Sequence, residues 1–195
     1  MSNQKHIEHL IKESIQIKKK LLNCDTTAVI EHSAEKIIAA MKLGKKVLLC
    51  GNGGSAADSQ HIAAEFVSRF NFDRPALPAI ALTTDSSALT AIGNDYGFER
   101  LFERQVQALG ASGDVFIGIS TSGNSVNIEN AAIAATEKGM TTIGLGGDGG
   151  QIWQHFNYVL RAPSNITARI QECHILFGHI LCELVETELW KKIKS

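Results

Sequence analysis

Apolar positions along the chain change their period near residue 45. Before it, Ile7, Leu10, Ile11 and Ile15 recur at helical spacing, and Val29, Ile37 and Met41 do so more loosely. This predicts two helices in an N-terminal region spanning about 2–43. Asp25 is placed to cap the second helix and Gly44 to close it. Beyond this point come short apolar runs: "KVLLC" (46–50), "PAIAL" (78–82), "DVFIGIS" (114–120), "TTIGL" (141–145) and "NYVLR" (157–161). Most are rich in β-branched or aromatic residues and have the length of strands. Helical segments are expected between most of them, at 54–69, at 86–109 with a break near "GNDYG", and at 124–138. A turn-rich segment occupies 146–156, and a long last helix runs over about 165–191.

Apolar strands alternating with helices predict an α/β fold with a parallel sheet covered on both faces. The expectation is one domain over 1–195: a three-layer α/β/α sandwich on a mainly parallel five-stranded sheet, with N-terminal helices and a long C-terminal helix. The terminal helices have no obvious place on so short a sheet. Their apolar stripes predict burial against another subunit.

Composition changes this picture little. A chain of 195 residues with 44% hydrophobic content can bury one substantial core. A net charge of -1 gives no electrostatic reason to expect nucleic acid or a membrane as partner. The run Lys18-Lys19-Lys20 reads as a solvated helix face. Cys24, Cys50, Cys173 and Cys182 form no C-x-x-C pair, which argues against a zinc knuckle or a thioredoxin-like site. They are expected as buried thiols in a reducing compartment. The first residues lack the apolar core of a signal peptide, and no run approaches a membrane span, so the expected location is cytoplasmic.

Candidate chemistry gathers at three turns. "CGNGGS" follows the first strand, and Gly51 to Ala56 formally matches the dinucleotide pattern G-x-G-x-x-A. The acidic residue that should follow about 20 positions on is missing: Asp73 precedes the second strand and Asp85 lies too far beyond it. No Gly-Lys-Ser/Thr follows, which excludes a P-loop. The turn can still hold an anion on its backbone N–H groups and the Ser55 hydroxyl, or it can simply bend the chain. "GISTSGNSVN" (118–127) follows the third strand with Ser120, Thr121, Ser122, Asn124 and Ser125 around Gly123. One such residue suffices for a helix cap, and the excess of donors suits a phosphate dianion. In "GNDYGF" (93–98), Asn94 and Asp95 are either sugar contacts or turn formers.

His61 and Glu65 stand four residues apart on a helix, hence on one face. That spacing suits a metal pair and an ordinary surface pair equally. In the last helix, Gln171 and His179 are eight residues apart, about 12 Å along the axis. That is a poor metal motif by itself, and a histidine within "ILFGHILC" is more often a core residue than a ligand. Packing against the His61–Glu65 helix, in the same subunit or a neighbour, would improve it.

Together "CGNGGSAADSQHIAAEF", "AIGNDYGF", "GDVFIGISTSGNS" and "ARIQECHILFGH" resemble the sugar isomerase domain family and, within it, the phosphoheptose isomerases (sedoheptulose 7-phosphate isomerases). The resemblance runs along nearly the whole chain. It implies conversion of D-sedoheptulose 7-phosphate to D-glycero-D-manno-heptose 7-phosphate through a cis-enediol, the first step of bacterial heptose synthesis for lipopolysaccharide. It also implies Asn52, Gly53, Gly54 and Ser55 as a substrate turn, Asn94 and Asp95 on the sugar chain, and Ser120, Thr121, Ser122 and Ser125 on the phosphate. Zinc, one per subunit, would be held by His61, Glu65, Gln171 and His179, with Glu65 as base, His179 as acid, and Gln171 also near substrate. The family forms homotetramers with active sites between subunits. Some members carry an acidic residue before the "RIQE" arginine, where this chain has Ala168, so that position receives no role. On this reading "CGNGGS" holds the substrate and "HIAAE" sets the metal and the base beside it.

"RFNFDRPALPAIALTTD" also resembles a non-catalytic paralogue class that binds the replication initiator protein. Glu65 and His179 separate the two readings, because a binding tetramer needs neither a base nor an acid.

Overall fold

The computed structural model describes residues 2–22 and 24–190. The expected end of the last helix near 191 and the Cys24 side chain lie outside the description. Two helices open the chain, α1 (Asn3–Lys20) and α2 (Cys24–Lys42). There follow β1 (Val47–Gly51), α3 (Gly54–Val67), β2 (Ala79–Ala81), α4 (Ser86–Tyr96) and α5 (Leu101–Leu109). Then come β3 (Val115–Ser120), α6 (Val126–Glu137), β4 (Thr141–Gly146), β5 (Tyr158–Arg161) and α7 (Thr167–Trp190). Short 3-10 turns occupy Phe98–Arg100 and Ile152–His155.

The strands form one sheet in the order β2-β1-β3-β4-β5, with every pair parallel. The strands of β1 and β3 are buried throughout. Alternate residues therefore serve two cores. Val47 and Leu49 of β1, with Val115, Ile117 and Ile119 of β3, face a layer built from α2, α3 and α7. Leu48, Cys50 and Phe116 face α5 and α6 on the other side. The expected three-layer sandwich is thus present, with α1 and the long α7 added to one face.

Asp25 and Lys18 differ from expectation. Asp25 lies within the first turn of α2 and not at its cap. The break in the 86–109 segment falls as expected, at the last residue of "GNDYG": Asn94 and Asp95 are still helical, and α4 stops at Gly97. Lys18 is not simply solvated; its ammonium binds Glu172 of α7 at 3.2 Å and pins α1 to the molecule. The other three cysteines, Cys50, Cys173 and Cys182, are free and buried, as expected of reduced thiols.

Candidate active site

The two polar turns meet because β1 and β3 are neighbours. After β1 the chain passes into α3 on one face, and after β3 into α6 on the other. Such a divergence opens a crevice beyond the C-terminal strand ends, where ligands of open α/β sheets bind. The first turn runs from Gly51 into α3, with Ser55 buried and Gly53 and Gly54 exposed. A Cβ at Gly54 would overlap the Gln171 amide, so glycine lets α7 lay Gln171 directly over the start of α3.

The second turn is a dense hydroxyl cluster. Ser120 Oγ and Ser125 Oγ lie 3.1 Å apart, and Gly123 N–H donates to Ser120 Oγ at 3.1 Å. Gly123 has φ of 64°, a left-handed geometry that glycine adopts without strain. Behind it the Gln151 N–H donates to the Gly123 carbonyl at 2.8 Å, and the Trp153 indole donates to Gly149. Ser125 stands at the N-cap of α6 yet makes no capping bond with its side chain. Ser122 is exposed, and Thr121 and Ser125 are half-buried. Helix N-termini of this kind attract anions.

The turns are joined by a pair the sequence reading missed. Asn52 Nδ2 donates to Asn127 Oδ1 and Asn127 Nδ2 donates to Asn52 Oδ1, both at 2.9 Å. Asn127 is 3% exposed in the first turn of α6. Its only sequence signal was one more polar residue after "SGNSV".

His61 and Glu65 come together with His179 through the contact of α3 with α7. His61 Nε2 lies 3.2 Å from Glu65 Oε1, and the His61 and His179 rings meet edge to face at 5.2 Å. One ligand atom from each of the three lies within 4.8 Å of the others. Two imidazoles and a carboxylate around a small gap are a donor set suited to zinc, with room for a further ligand. Phe70, given no role by the sequence reading, lies against His179 with ring centroids 5.5 Å apart and tilted by 34°.

Gln171 comes in from α7 over the start of α3. It packs on Gly54, seven residues along α3 from His61, which is about 10 Å. The helix carries His61 and Glu65 away from the sheet edge, and His61 keeps 48% of its side-chain surface exposed. Asn94 and Asp95 are exposed at the end of α4, where Asn94 Nδ2 donates to Asp95 Oδ1 at 2.7 Å.

Further groups frame the cluster. Asp58 lies one turn before His61 on the same stripe of α3, and its Oδ2 is buried without a partner. Burial raises its carboxyl above the ordinary range, against the pull of His61. Cys182 sits one turn beyond His179. Burial, reinforced by Glu65, pushes its thiol up to about 12. Glu186 accepts from the backbone N–H groups of Phe70 and Asn71 and from Arg74 Nε at 3.0 Å. Burial alone would raise its carboxyl, but these bonds hold it below the ordinary range. Arg74 also donates to the carbonyls of Phe66 and Glu65 at 2.7 and 2.8 Å, which secures the end of α3.

The chain matches the SIS domain over residues 10–147. It is 59% identical to a phosphoheptose isomerase from Clostridium acetobutylicum, covering 94% of this chain and 95% of that protein. Among solved structures it resembles a phosphoheptose isomerase from Francisella tularensis, with TM-score 0.91, 39% identity and coverage of 96% and 100%. It also resembles one from Neisseria gonorrhoeae, with TM-score 0.86, 45% identity and coverage of 95% and 100%.

Proposed function

The chain belongs to the SIS domain family and, within it, to the phosphoheptose isomerases, and on that premise we propose how its residues interconvert D-sedoheptulose 7-phosphate and D-glycero-D-manno-heptose 7-phosphate. It is a phosphosugar isomerase. The observation that carries the mechanism is the convergence of Glu65 with His61 and His179. A protein that only binds an initiator has no use for a carboxylate and two imidazoles drawn together from separate helices.

The reaction moves a proton between C1 and C2 through a cis-enediol. Glu65 takes that proton from one carbon and returns it to the other. With Oε1 facing His61, a carboxylate still has Oε2 to act as base. His179 gives and removes the proton at the carbonyl and hydroxyl oxygens. Ser120, Thr121, Ser122 and Ser125 with the α6 N-terminus hold the phosphate, and they do so with O–H and N–H donors alone. Asn52 to Ser55 and Gln171 hold the sugar chain near the first turn, with Asn94 and Asp95 as further contacts.

His61, Glu65 and His179 would hold zinc, one per subunit, with Gln171 as the fourth ligand of the family pattern. Bound zinc supplies Lewis-acid stabilisation of the negative charge that develops on the sugar oxygens. Glu65 would have to leave that shell, at least in part, when it acts as base.

The chain would assemble as a homotetramer with active sites between subunits. The stripe of Ile7, Ile11 and Ile15 on α1, 56%, 56% and 46% exposed, offers an apolar surface for such assembly. Buried free thiols suit the reducing cytoplasm, where the product would enter synthesis of lipopolysaccharide or related glycans.

The test is turnover. Purified protein incubated with sedoheptulose 7-phosphate, with and without added zinc, yields the aldose phosphate by NMR. No conversion under either condition rejects the proposal.

A further inference from the structure

The reciprocal amide pair between Asn52 and Asn127 joins a residue of the sugar turn to one given no chemical role above. Asn127 follows the hydroxyl cluster of the second turn, in the first turn of α6. It is almost fully buried, and its side chain points back across the switch point to the first turn. The pair is geometrically complete: each amide gives one N–H and accepts one, both at 2.9 Å. Few other side-chain bonds link the glycine turn to the α6 end, and the strands beneath end at Gly51 and Ser120. Beyond those residues no ladder fixes the separation of the turns.

We propose that Asn127 is a positioning residue which, through Asn52, locks the glycine turn to the phosphate turn at one separation, so that a single sugar phosphate engages both. This rests on the reading that the second turn holds phosphate and the first holds the sugar. Two contacts on one ligand reinforce each other only when their spacing matches the ligand. A flexible spacing would leave each turn able to bind its own part while weakening the joint grip. The pair therefore acts on the ligand as a whole and not on phosphate alone.

The experiment compares two affinities in the full-length protein. Inorganic phosphate, as a competitive inhibitor, reports the second turn by itself. The KM for sedoheptulose 7-phosphate reports both turns together. In Asn127→Ala the KM rises about tenfold, in keeping with the cost of misplacing a bound group, while the inhibition constant of phosphate stays within about twofold. Asn127→Leu, close in volume and unable to bond, gives the same split and guards against a cavity that unfolds the helix end. In an Asn52→Ala background, Asn127→Leu adds no further change, because the residue acts through its partner.

A parallel rise in both constants shows that Asn127 merely shapes the phosphate turn, and it overturns the proposal. So does an unchanged KM, or additive effects in the double variant. Absence of wild-type turnover is a different result. It rejects the isomerase reading, and with it this inference, before any variant is compared.

Discussion

Two histidines of α7, His174 and His179, stand five residues apart and have opposite surroundings. Five residues turn a helix through about 140° from alignment, so the rings cannot share a face. His174 is 0% exposed, and its ring has at most a loose contact with the Gly146 backbone that falls short of a well-formed hydrogen bond. Burial lowers its pKa to about 4, only partly opposed by the Gly146 backbone. His179 is half-buried, beside His61 and Phe70. By its apolar neighbours alone His179 would be the core-type residue, although the family resemblance makes it the acid. The structure gives that part to His174. Apolar neighbours in sequence show that a helix is buried on several sides; the angle around its axis decides which histidine reaches the site.

The contrast breaks most sharply in turnover. His179→Asn lowers turnover by about 10²–10⁴-fold while the melting temperature stays close to wild type. Near-normal turnover in that variant would remove His179 from the acid–base role.

The second expected effect belongs to His174 and to pH. Its pKa is about 4 in the folded protein against 6.5 for the free side chain. Between these values the unfolded chain binds a proton that the folded protein refuses. Stability is therefore complete above pH 6.5 and falls as pH drops toward 4, by about 3 kcal/mol in total. His174→Leu, which removes two buried polar atoms, flattens this slope in urea titrations across the same window. Glu186, held low, adds its own loss only at more acid pH, below its ordinary value of 4.5. An unchanged slope in the variant would show that His174 finds a proton acceptor inside the fold.

The smallest effect tests why His179 meets His61 at all. A Cβ at Gly178 would overlap the Ile62 side chain, so α3 and α7 approach closely where the two rings face each other. Gly178→Ala destabilises the protein by about 1–3 kcal/mol through this overpacking, measured by chemical denaturation. No loss would mean that Ile62 turns aside easily and that the close approach is not set by the glycine.

The sheet was readable almost to the residue, because β1 and β3 are continuous apolar runs with nowhere to go but the interior. The hydroxyl-rich turn was readable for a similar reason: its polar residues exceed what capping requires. The partners across the fold were not. Asn127 joins Asn52 over a separation of 75 residues, and Arg74 joins Glu186 over 112. No local period marks such pairs. Asp58 was accessible from the sequence by helical spacing, since it stands one turn before His61.

Arg74 has a mechanical consequence. The connection 68–78 between α3 and β2 contains no helix or strand. One guanidinium gathers its carbonyl at Pro75, the last carbonyls of α3 and the carboxylate of Glu186 on α7. A lysine has one ammonium where arginine has a planar fork, and could not reach these groups together. The end of α3, the Phe70 loop and the last turns of α7 therefore move as one block. Any opening that admits a sugar must come from the side chains of the cluster, from the turns at the far end of α3, or from displacement of whole subunits, because this end of the site has no hinge.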